Sequence, residues 1–484
     1  MPELIAVLAL TFFAQSTDAP PVMDGRFDDW SAAAQAPDDG SGLIRAVRVT
    51  DSPRHVFVQI DLDRPRTLQW LEQELRLELD LDGRPGTGLR GFGGMEGVEA
   101  VVLFSPLDQE SGRTRPGTTL YGVNRNGEAV QSTADELGVV ALPTHSGDRF
   151  EIRLDRSPAF RGGGMRLQFL ARDRAGVVDR TPVVEYEFGT KRSSRPEPAG
   201  NDPAAAKDPA EVRVVSWNAE FGALFKNPIP FARTFEALDP DIVLLQELPD
   251  PVEPSRLGGW FGGLEPKRAW NAVVGGRSLC VAVVTPHPME PVPELAPVRK
   301  SAPSGSVVRA TGGLVSFGTR RILAVSIHLK CCGRLGSTED QKRRSEVEAI
   351  HEAVRRATAR LKPDSLVIGG DLNLVGGPGV LEALVRDLAP GGGDLVVAEP
   401  MRPLGDDVTT WGREGESFVP GRLDFILHDQ GLRATAADVV DVEQLGPRWR
   451  RTHGIPAEPP SDHLPLKLDL SWEAAPAGAG STGS

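Results

Sequence analysis

Six short polar motifs lie at the ends of apolar runs in the second half of the 484-residue chain. In chain order they read Ser216-Trp217-Asn218, Gln246-Glu247, His328-Leu329-Lys330, Gly370-Asp371-Leu372-Asn373, Gly421-Arg422-Leu423-Asp424 and Ser461-Asp462-His463. Each places an amide, a carboxylate or an imidazole where a buried strand would end. Six such ends in order predict one pocket built from many strand ends, with residue types that suit a divalent cation and a phosphate ester.

The prediction of a bound cation rests mainly on the carboxylates. Glu247 follows the apolar run 242–245, where a charge is costly unless it is paired or bound to metal. Asp371 and Asn373 flank Leu372, so in an extended segment both side chains point the same way. A carboxylate beside an amide suits Mg²⁺, which keeps several waters. Taken singly, Glu247 also fits a polar strand cap, and Gly-Asp-Leu-Asn also fits a β-turn.

Two histidines fit acid–base chemistry. His463 has carboxylates nearby in the sequence, and His328 ends the apolar run 322–327. A carboxylate that holds one ring nitrogen fixes the tautomer and raises the basicity of the other. Such an imidazole can activate water or stabilise a charged transition state. Each histidine alone also fits a surface or core residue, so the ordered set of motifs carries the inference.

These motifs, in this order, resemble those of the endonuclease/exonuclease/phosphatase superfamily over about residues 212–470. The resemblance implies a C-terminal four-layer α/β sandwich with two packed mixed sheets and a site at one rim. It also implies a metal-dependent phosphoesterase of the deoxyribonuclease or sphingomyelinase type. Its cofactor would be Mg²⁺, with Mn²⁺ or Ca²⁺ as alternatives.

The resemblance also implies a role for each matching residue. Metal binding would fall to Asn218, Glu247 and Asp462, with Glu247 the principal ligand. Asp371 and Asn373 would orient the attacking water and the phosphate. His328 would contact the phosphate or protonate the leaving oxygen. Asp424 would pair with His463, and His463 would act as general base or as transition-state stabiliser.

Basic residues follow His328 closely. Lys330, Arg343 and Arg344 are candidates for a phosphate beyond the scissile one. The same residues also fit a solvated basic start of a helix. The net charge of −13 argues against tight, sequence-blind binding of nucleic acid, although a nuclease that holds its substrate briefly remains compatible with it.

One departure from the family pattern reduces the range of candidate substrates. Both tyrosines, Tyr121 and Tyr186, lie in the first half, whereas abasic-site endonucleases use a tyrosine in the region of His328. The favoured prediction is therefore an exported phosphodiesterase acting on nucleic acid. The alternatives are a phospholipid or inositol-phosphate phosphoesterase and a non-catalytic cell-surface binding protein. Trp260-Phe261 is a candidate exposed aromatic pair for membrane docking.

The first half predicts a different architecture. Period-two alternation at 46–49, 55–60, 75–79 and 150–154 favours an antiparallel β-sandwich over residues 20–190. Its opening, from Met23-Asp24-Gly25 to Trp30, resembles family 9 carbohydrate-binding modules, which implies a glycan-binding or purely structural sandwich. Asp80, Asp82 and Gly83 fit either a Ca²⁺ site or a solvated turn, and the turn is favoured.

Segments outside the two cores complete the prediction. Residues 1–19 are expected to be a signal peptide, which places the protein in a secreted, periplasmic or cell-surface location. No other stretch is apolar enough to span a bilayer. Residues 191–210 are a predicted linker, 211–472 the second domain and 473–484 a disordered tail. Among the three cysteines, Cys331 and Cys332 are adjacent and can pair only through a strained ring. A bridge and three packed or incidental cysteines both stay open.

The second half alternates apolar strands with helices. Strands are predicted at 212–217, 241–247, 279–285, 321–330, 365–370 and 423–428. Apolar residues repeat on one face from 339 to 361, which predicts a long helix capped by Thr338. A shorter helix is predicted at 381–388.

Overall fold

The computed structural model describes residues 19–30, 34–37, 42–124, 126–157, 160–193, 202–301 and 305–473. The expected signal peptide up to residue 18, residues 194–201 of the expected linker and the expected tail after residue 473 lie outside the described residues. The described residues divide into two units. One lies within Met1–Pro143, Gly147–Arg195 and Glu414–Val419, and the other within Thr144–Ser146, Pro196–Arg413 and Pro420–Ser484.

The first unit is built from antiparallel strands. They are β1 (Ala34–Pro37), β2 (Ile44–Asp51), β3 (His55–Arg66), β4 (Glu74–Asp80), β5 (Ala100–Phe104), β6 (Thr118–Val123), β7 (Ala129–Ser132), β8 (Val140–Leu142), β9 (Gly147–Asp155), β10 (Gly164–Asp173), β11 (Gly176–Arg180) and β12 (Val184–Glu187). One sheet has the order β1-β2-β3-β9-β8. The other has the order β11-β10-β4-β5-β6-β7, and β12 also pairs with β10.

The predicted alternation falls in β2, β3, β4 and β9. Its apolar residues, such as Val58 and Leu77, belong to one buried cluster that takes residues from both sheets. Antiparallel sheets that bury one face produce this period-two pattern. The described residues of this unit contain short 3-10 helices but no α-helix.

The opening motif of the first unit has a structural role. Gly25 N donates to Glu151 Oε1 at 2.6 Å, and Trp30 Nε1 donates to Glu151 Oε2 at 3.2 Å. Gly25 has a φ of +82°, a left-handed conformation that favours glycine. Burial raises the pKa of the Glu151 carboxyl to about 8. The motif thus anchors the start of the unit to β9, and a glycan ligand stays a prediction without support from these contacts.

The second unit contains two six-stranded mixed sheets. The strands are β13 (Val212–Asn218), β14 (Ile242–Leu248), β15 (Asn271–Gly275), β16 (Cys280–Thr285), β17 (Met289–Pro291), β18 (Ala310–Phe317), β19 (Arg320–His328), β20 (Ser365–Asp371), β21 (Val396–Val397), β22 (Asp424–His428), β23 (Leu432–Val439) and β24 (Leu466–Trp472). Their orders are β15-β16-β14-β13-β24-β23 and β17-β18-β19-β20-β22-β21. The pairs β13–β14 and β19–β20 are parallel, and the other pairs are antiparallel.

Six described α-helices accompany these sheets. They are α1 (Ala223–Lys226), α2 (Pro228–Leu238), α3 (Pro254–Gly262), α4 (Thr338–Leu361), α5 (Gly379–Val385) and α6 (Gly446–His453). One buried cluster takes residues from both sheets, such as Leu244 and Val367. A second cluster joins the first sheet to α2 and α3, and a third joins the second sheet to α4 and α5.

The long helix begins one residue earlier than predicted. Its N-cap is Ser337 rather than Thr338, because Ser337 Oγ accepts a hydrogen bond from Asp340 N at 3.2 Å. The shorter helix is shifted toward the N-terminus, to Gly379–Val385. None of the described helices combines the length and the hydropathy needed to cross a bilayer.

The prediction of an exposed Trp260-Phe261 pair was wrong. Both residues lie in α3, where Phe261 is fully buried and Trp260 is partly buried. Phe261 packs against Phe235 and Trp270, with ring centroids 5.1 and 5.0 Å away. The glycines that suggested a loop lie inside the helix, where burial of the aromatic face outweighs their low helix propensity.

Residues 202–210 of the expected linker belong to the second unit and contact its other segments. Asp202 accepts a hydrogen bond from Trp449 Nε1 at 2.8 Å, and Ala205 O accepts one from Arg213 Nη2 at 2.8 Å. Lys207 Nζ lies 3.1 Å from Asp241 Oδ2. These contacts order residues 202–210 despite their linker-like composition.

Gly370 sets how closely β19 and β20 approach each other. It has a φ of +147°, and a Cβ added there would lie 1.9 Å from the carbonyl oxygen of Ile327. We expect Gly370→Ala to destabilise the protein by about 1–3 kcal/mol, because the backbone must strain or the strands must separate. Urea unfolding measures this loss.

Gly391→Ala is the matched control, since no atom lies within 4 Å of a Cβ there. An equal loss of stability in both variants would contradict the proposed close approach.

Candidate functional site

Strand ends bring the predicted polar side chains together in the second unit. β13 ends at Asn218, β19 ends at His328 and β20 ends at Asp371. In the sheet register, Asp371 pairs with His328 on one side and with Asp424, the first residue of β22, on the other. Paired residues on neighbouring strands project from the same face. Three ionisable groups therefore lie in a row at one edge.

Glu247 reaches the same edge through an irregularity in β14. The pairing of β14 with β16 shifts between Leu245 and Leu248, and Glu247 has a φ of +55°. A bulge of this kind redirects a side chain, and left-handed backbone at a non-glycine residue is typical of functional sites. Gln246 Nε2 donates to Ser326 Oγ at 3.0 Å, which ties this strand end to the second sheet.

Glu247, His328 and Asp371 form a potential cation site. Their ligand atoms lie within 4.8 Å of one another. His328 Nε2 is 3.7 Å from Glu247 Oε1 and 3.5 Å from Asp371 Oδ2. Two carboxylates that face one imidazole in a buried setting fit a divalent cation, which would offset the cost of burying them.

The protonation equilibria at this site are perturbed. Burial raises the pKa of Asp371 to about 7, with nearby His463 opposing the rise and Asp424 adding to it. Burial, helped by the positive charges of Arg309, His463 and Lys330, lowers the pKa of His328 well below its usual value. A neutral imidazole at His328 retains a lone pair for a metal or a hydrogen bond.

His463 and Asp424 form a hydrogen-bonded dyad. His463 Nδ1 lies 2.7 Å from Asp424 Oδ2, and Nε2 lies 3.8 Å from Asp371 Oδ2. Burial alone would lower the pKa of His463, but Asp424, Asp371 and Asp462 outweigh it and raise the pKa to about 10. Thr410 Oγ1 also donates to Asp424 Oδ2, at 2.8 Å. The dyad fixes the ring so that Nε2 faces the cation site.

Asp371 and Asn373 meet through a turn rather than along an extended strand. β20 ends at Asp371, and Asn373 has a φ of +46°. Asn373 N donates to Asp371 Oδ1 at 2.8 Å, and Asn373 Nδ2 donates to Asp371 Oδ2 at 3.0 Å. The expected pairing of carboxylate and amide is present, but the extended geometry was wrong.

Two of the predicted metal ligands lie beside the cation site. Asn218 Nδ2 donates to Asp371 Oδ2 at 3.1 Å, while Asn218 Oδ1 accepts from Glu220 N at 3.0 Å. Asp462 Oδ2 accepts from Trp411 Nε1 at 3.0 Å, and Asp462 does not belong to the cluster of Glu247, His328 and Asp371. Of the predicted ligand set, only Glu247 is in that cluster, so metal binding by the other two stays a prediction.

The predicted phosphate-binding residues have different environments. Arg343 is fully buried and donates from Nη1 to the carbonyl oxygens of Lys330 and Cys332, at 2.8 and 2.6 Å. A substrate cannot reach it in this structure, so its role here is to hold the loop after β19. Lys330 is half-buried, with Nζ 3.3 Å from Cys331 Sγ, and Arg344 is exposed.

Thr410 and Trp411 escaped the sequence analysis. They lie in a segment without regular secondary structure, where Thr410 supports Asp424 and Trp411 supports Asp462. Neither residue lies at the end of an apolar run, which was the signal that identified the six motifs. A buried hydroxyl in a loop has no periodic pattern that would reveal it.

Several solved structures resemble part of this chain. A beta toxin of Staphylococcus aureus is 18% identical with a TM-score of 0.35, and the match covers 53% of this chain and 99% of that one. SmcL is 16% identical with a TM-score of 0.32, covering 55% and 100%. ANGEL2, a 2′,3′-cyclic phosphatase, is 12% identical with a TM-score of 0.37, covering 54% and 95%. No curated protein sequence matches the chain.

A family model gives the assignment. The model of the Endonuclease/Exonuclease/phosphatase family matches residues 215–463, slightly more than half of the chain. All the candidate site residues, from Asn218 to His463, lie within this match. The chain therefore belongs to the endonuclease/exonuclease/phosphatase family and is a hydrolytic phosphoesterase.

Proposed function

We propose that the protein is a Mg²⁺-dependent phosphodiesterase that cleaves nucleic acid. The observation that carries this proposal is the convergence of the Glu247, His328 and Asp371 ligand atoms beside the Asp424–His463 dyad. A cation site next to an oriented imidazole is the equipment needed for in-line attack on phosphorus. A divalent ion bound there would offset negative charge on the phosphate oxygens.

The protein's own residues position the remaining chemistry. Asn218 and Asn373 each donate to Asp371 Oδ2, which leaves this carboxylate with one orientation. Asp424 holds Nδ1 of His463, so that Nε2, 3.4 Å from Asn218 Nδ2, faces the cation site, where it can exchange a proton with water or donate to the phosphate. His463 as general base and His463 as stabiliser of the transition state both fit this geometry.

Positive charge near the site supports a nucleic-acid substrate. Lys330 and Arg309 lie close enough to depress the pKa of His328, and Arg309 Nη2 donates to Leu329 O at 2.7 Å. Phe221 is 63% exposed, and its backbone N donates to Glu247 Oε2 at 2.9 Å. An exposed aromatic ring beside the metal site is a stacking platform for a base.

The alternative substrate is a phospholipid head group or an inositol phosphate. The observation in its favour is that Phe221 and Ile229, at either end of the segment containing α1, are 63% and 62% exposed. Exposed apolar side chains also suit a lipid surface. The loss of Trp260-Phe261 as an exposed pair weakens this alternative.

Metal removal and a substrate panel test the proposal. We expect the Mg²⁺-loaded protein to cleave bis-p-nitrophenyl phosphate and to prefer DNA or RNA over sphingomyelin and inositol phosphates in a parallel assay. EDTA should abolish cleavage, and Glu247→Gln should weaken activation by Mg²⁺, because a ligand carboxylate is lost.

Glu99→Gln is the matched control, because Glu99 belongs to the other acidic cluster, with Asp80 and Asp82 in the first unit. It should leave activation unchanged. Cleavage that persists in EDTA would reject the proposal, and preference for a lipid substrate would select the alternative.

The dyad has its own test. His463→Ala should lower kcat by roughly 10²–10⁴-fold, as expected for a positioned proton-transfer group. Asp424→Asn should lower kcat as well, since it removes the charge that orients Nδ1. His453→Ala, on α6 with its ring 4.6 Å from that of Trp449, is the control and should retain activity. Steady-state kinetics on the synthetic diester measure all three, and full activity in His463→Ala would disprove the role of the dyad.

We also propose the finer architecture that the resemblance implies. In the second unit, one core cluster between the two sheets and two clusters that join sheets to helices support four layers. In the first unit, the cluster shared by two antiparallel sheets supports a β-sandwich.

We further propose export, with removal of residues up to about 19, as the apolar run from Leu4 to Phe13 favours. Mass spectrometry of protein from periplasmic and culture fractions should find an N-terminus near Ala19. An intact Met1 in those fractions would contradict cleavage.

A further inference from the structure

Two adjacent thiols follow the His328 motif. Cys331 Sγ and Cys332 Sγ lie 3.0 Å apart, and both cysteines are free. Cys331 is half-buried and Cys332 is exposed, so small reagents can reach the pair. A disulfide needs a separation of about 2.05 Å, so the two sulfurs must approach by only about 1 Å.

The loop that carries the pair is firmly held. The buried Arg343 donates to the carbonyl oxygens of Lys330 and Cys332, on either side of Cys331. Glu346 Oε2 accepts from Lys330 N at 2.8 Å. Cys332 has a φ of +69°, a conformation that a non-glycine residue keeps only when its surroundings impose it. The backbone therefore keeps the sulfurs together.

The surroundings also activate one sulfur. Hydrogen bonding from Cys332, with help from Lys330 Nζ at 3.3 Å, lowers the pKa of the Cys331 thiol to about 5. The thiolate is the nucleophilic form of cysteine. Burial raises the pKa of Cys280 to about 11, so the third cysteine is inert by comparison.

We propose that Cys331 and Cys332 form a modification site, a dithiol that a low-molecular-weight disulfide closes reversibly into a vicinal disulfide. The Cys331 thiolate attacks one sulfur of the reagent, which forms a mixed disulfide and releases one thiolate. Cys332 then loses its proton to solvent and attacks Cys331 Sγ, which expels the second thiolate. Two electrons pass from the protein to the reagent, and the reagent leaves as two thiols.

Closure changes the partner of Lys330. The ammonium group of Lys330 faces a thiolate in the reduced state, and a neutral disulfide in the closed state. The ammonium group of Lys330, two residues after His328 in the sequence, then becomes available to a substrate phosphate. This consequence rests on the proposed function, whereas the thiol chemistry does not.

The test treats the full chain with oxidised glutathione, blocks free thiols with iodoacetamide and analyses peptides by mass spectrometry. We expect the peptide with Cys331 and Cys332 to lose two hydrogen atoms and to escape alkylation, and dithiothreitol to reverse both changes. Cys280 should stay reduced. Alkylation of both cysteines after this treatment would overturn the proposal, as would a stable glutathione adduct on the native pair.

Single variants separate the two steps. Cys332→Ser should trap glutathione on Cys331, and Cys331→Ser should prevent loss of the two hydrogen atoms. Cys280→Ser is the matched control and should behave like the native protein. If glutathione attaches to Cys332 in Cys331→Ser as fast as it attaches to Cys331 in Cys332→Ser, the assigned order of attack is overturned.

Steady-state kinetics test whether closure of the disulfide makes Lys330 available to the substrate. The closed form should show a KM for a nucleic-acid substrate about two- to fivefold lower than the reduced form, the range of an exposed ion pair, with kcat unchanged. An unchanged KM would overturn the link. Inactivity of both forms would contradict the proposed function, while the mass measurement would still decide the thiol chemistry.

Discussion

The site depends on the register of three neighbouring strands. β19, β20 and β22 place His328, Asp371 and Asp424 side by side, and Gly370 allows the close approach that this register needs. A shift of one residue in any pair would turn a side chain to the opposite face. The apolar residues of each strand prevent such a shift, because it would expose them. Core packing of the second sheet therefore fixes the spacing of the ionisable groups.

That register brings the carboxylates of Asp371 and Asp424 together in a buried place. The two carboxylates have different partners. Asp424 is paired with His463, whose pKa rises to about 10 as a result. Asp371 accepts hydrogen bonds from amide groups and lies 3.5 and 3.8 Å from the imidazoles of His328 and His463, and burial raises its pKa to about 7. Glu247, brought in by the bulge in β14, adds a second carboxylate. One end of the row thus resembles an acid–base dyad, and the other end resembles an incomplete cation site.

The strand ends could be predicted because a buried apolar run that stops at a polar residue is visible in the sequence. The backbone details could not. The bulge at Glu247 and the left-handed turn at Asn373 arise from tertiary contacts that no local pattern encodes. The sequence also did not show which charged side chains are buried. Arg343 follows the His328 motif and resembles a substrate-binding residue in sequence, yet its guanidinium is buried. The amphipathic helix α4 was predicted well, because the apolar residues of its buried face recur at helical spacing along the sequence.

In the described part of the chain, two clusters with acidic side chains bring their ligand atoms close enough to share a metal ion, and the partners of these atoms distinguish the clusters. In the first unit, Asp80 Oδ2 accepts from Arg166 Nε at 2.7 Å, and Thr87 donates to both Asp82 and Glu99. A guanidinium and a hydroxyl already occupy those oxygens, so the turn needs no ion. In the second unit, Glu247 and Asp371 face an imidazole whose low pKa leaves it uncharged. His463, with Nε2 3.8 Å from Asp371 Oδ2, offsets the charge of Asp371, whereas Glu247 faces the uncharged imidazole of His328, so the second cluster is the one that calls for a metal.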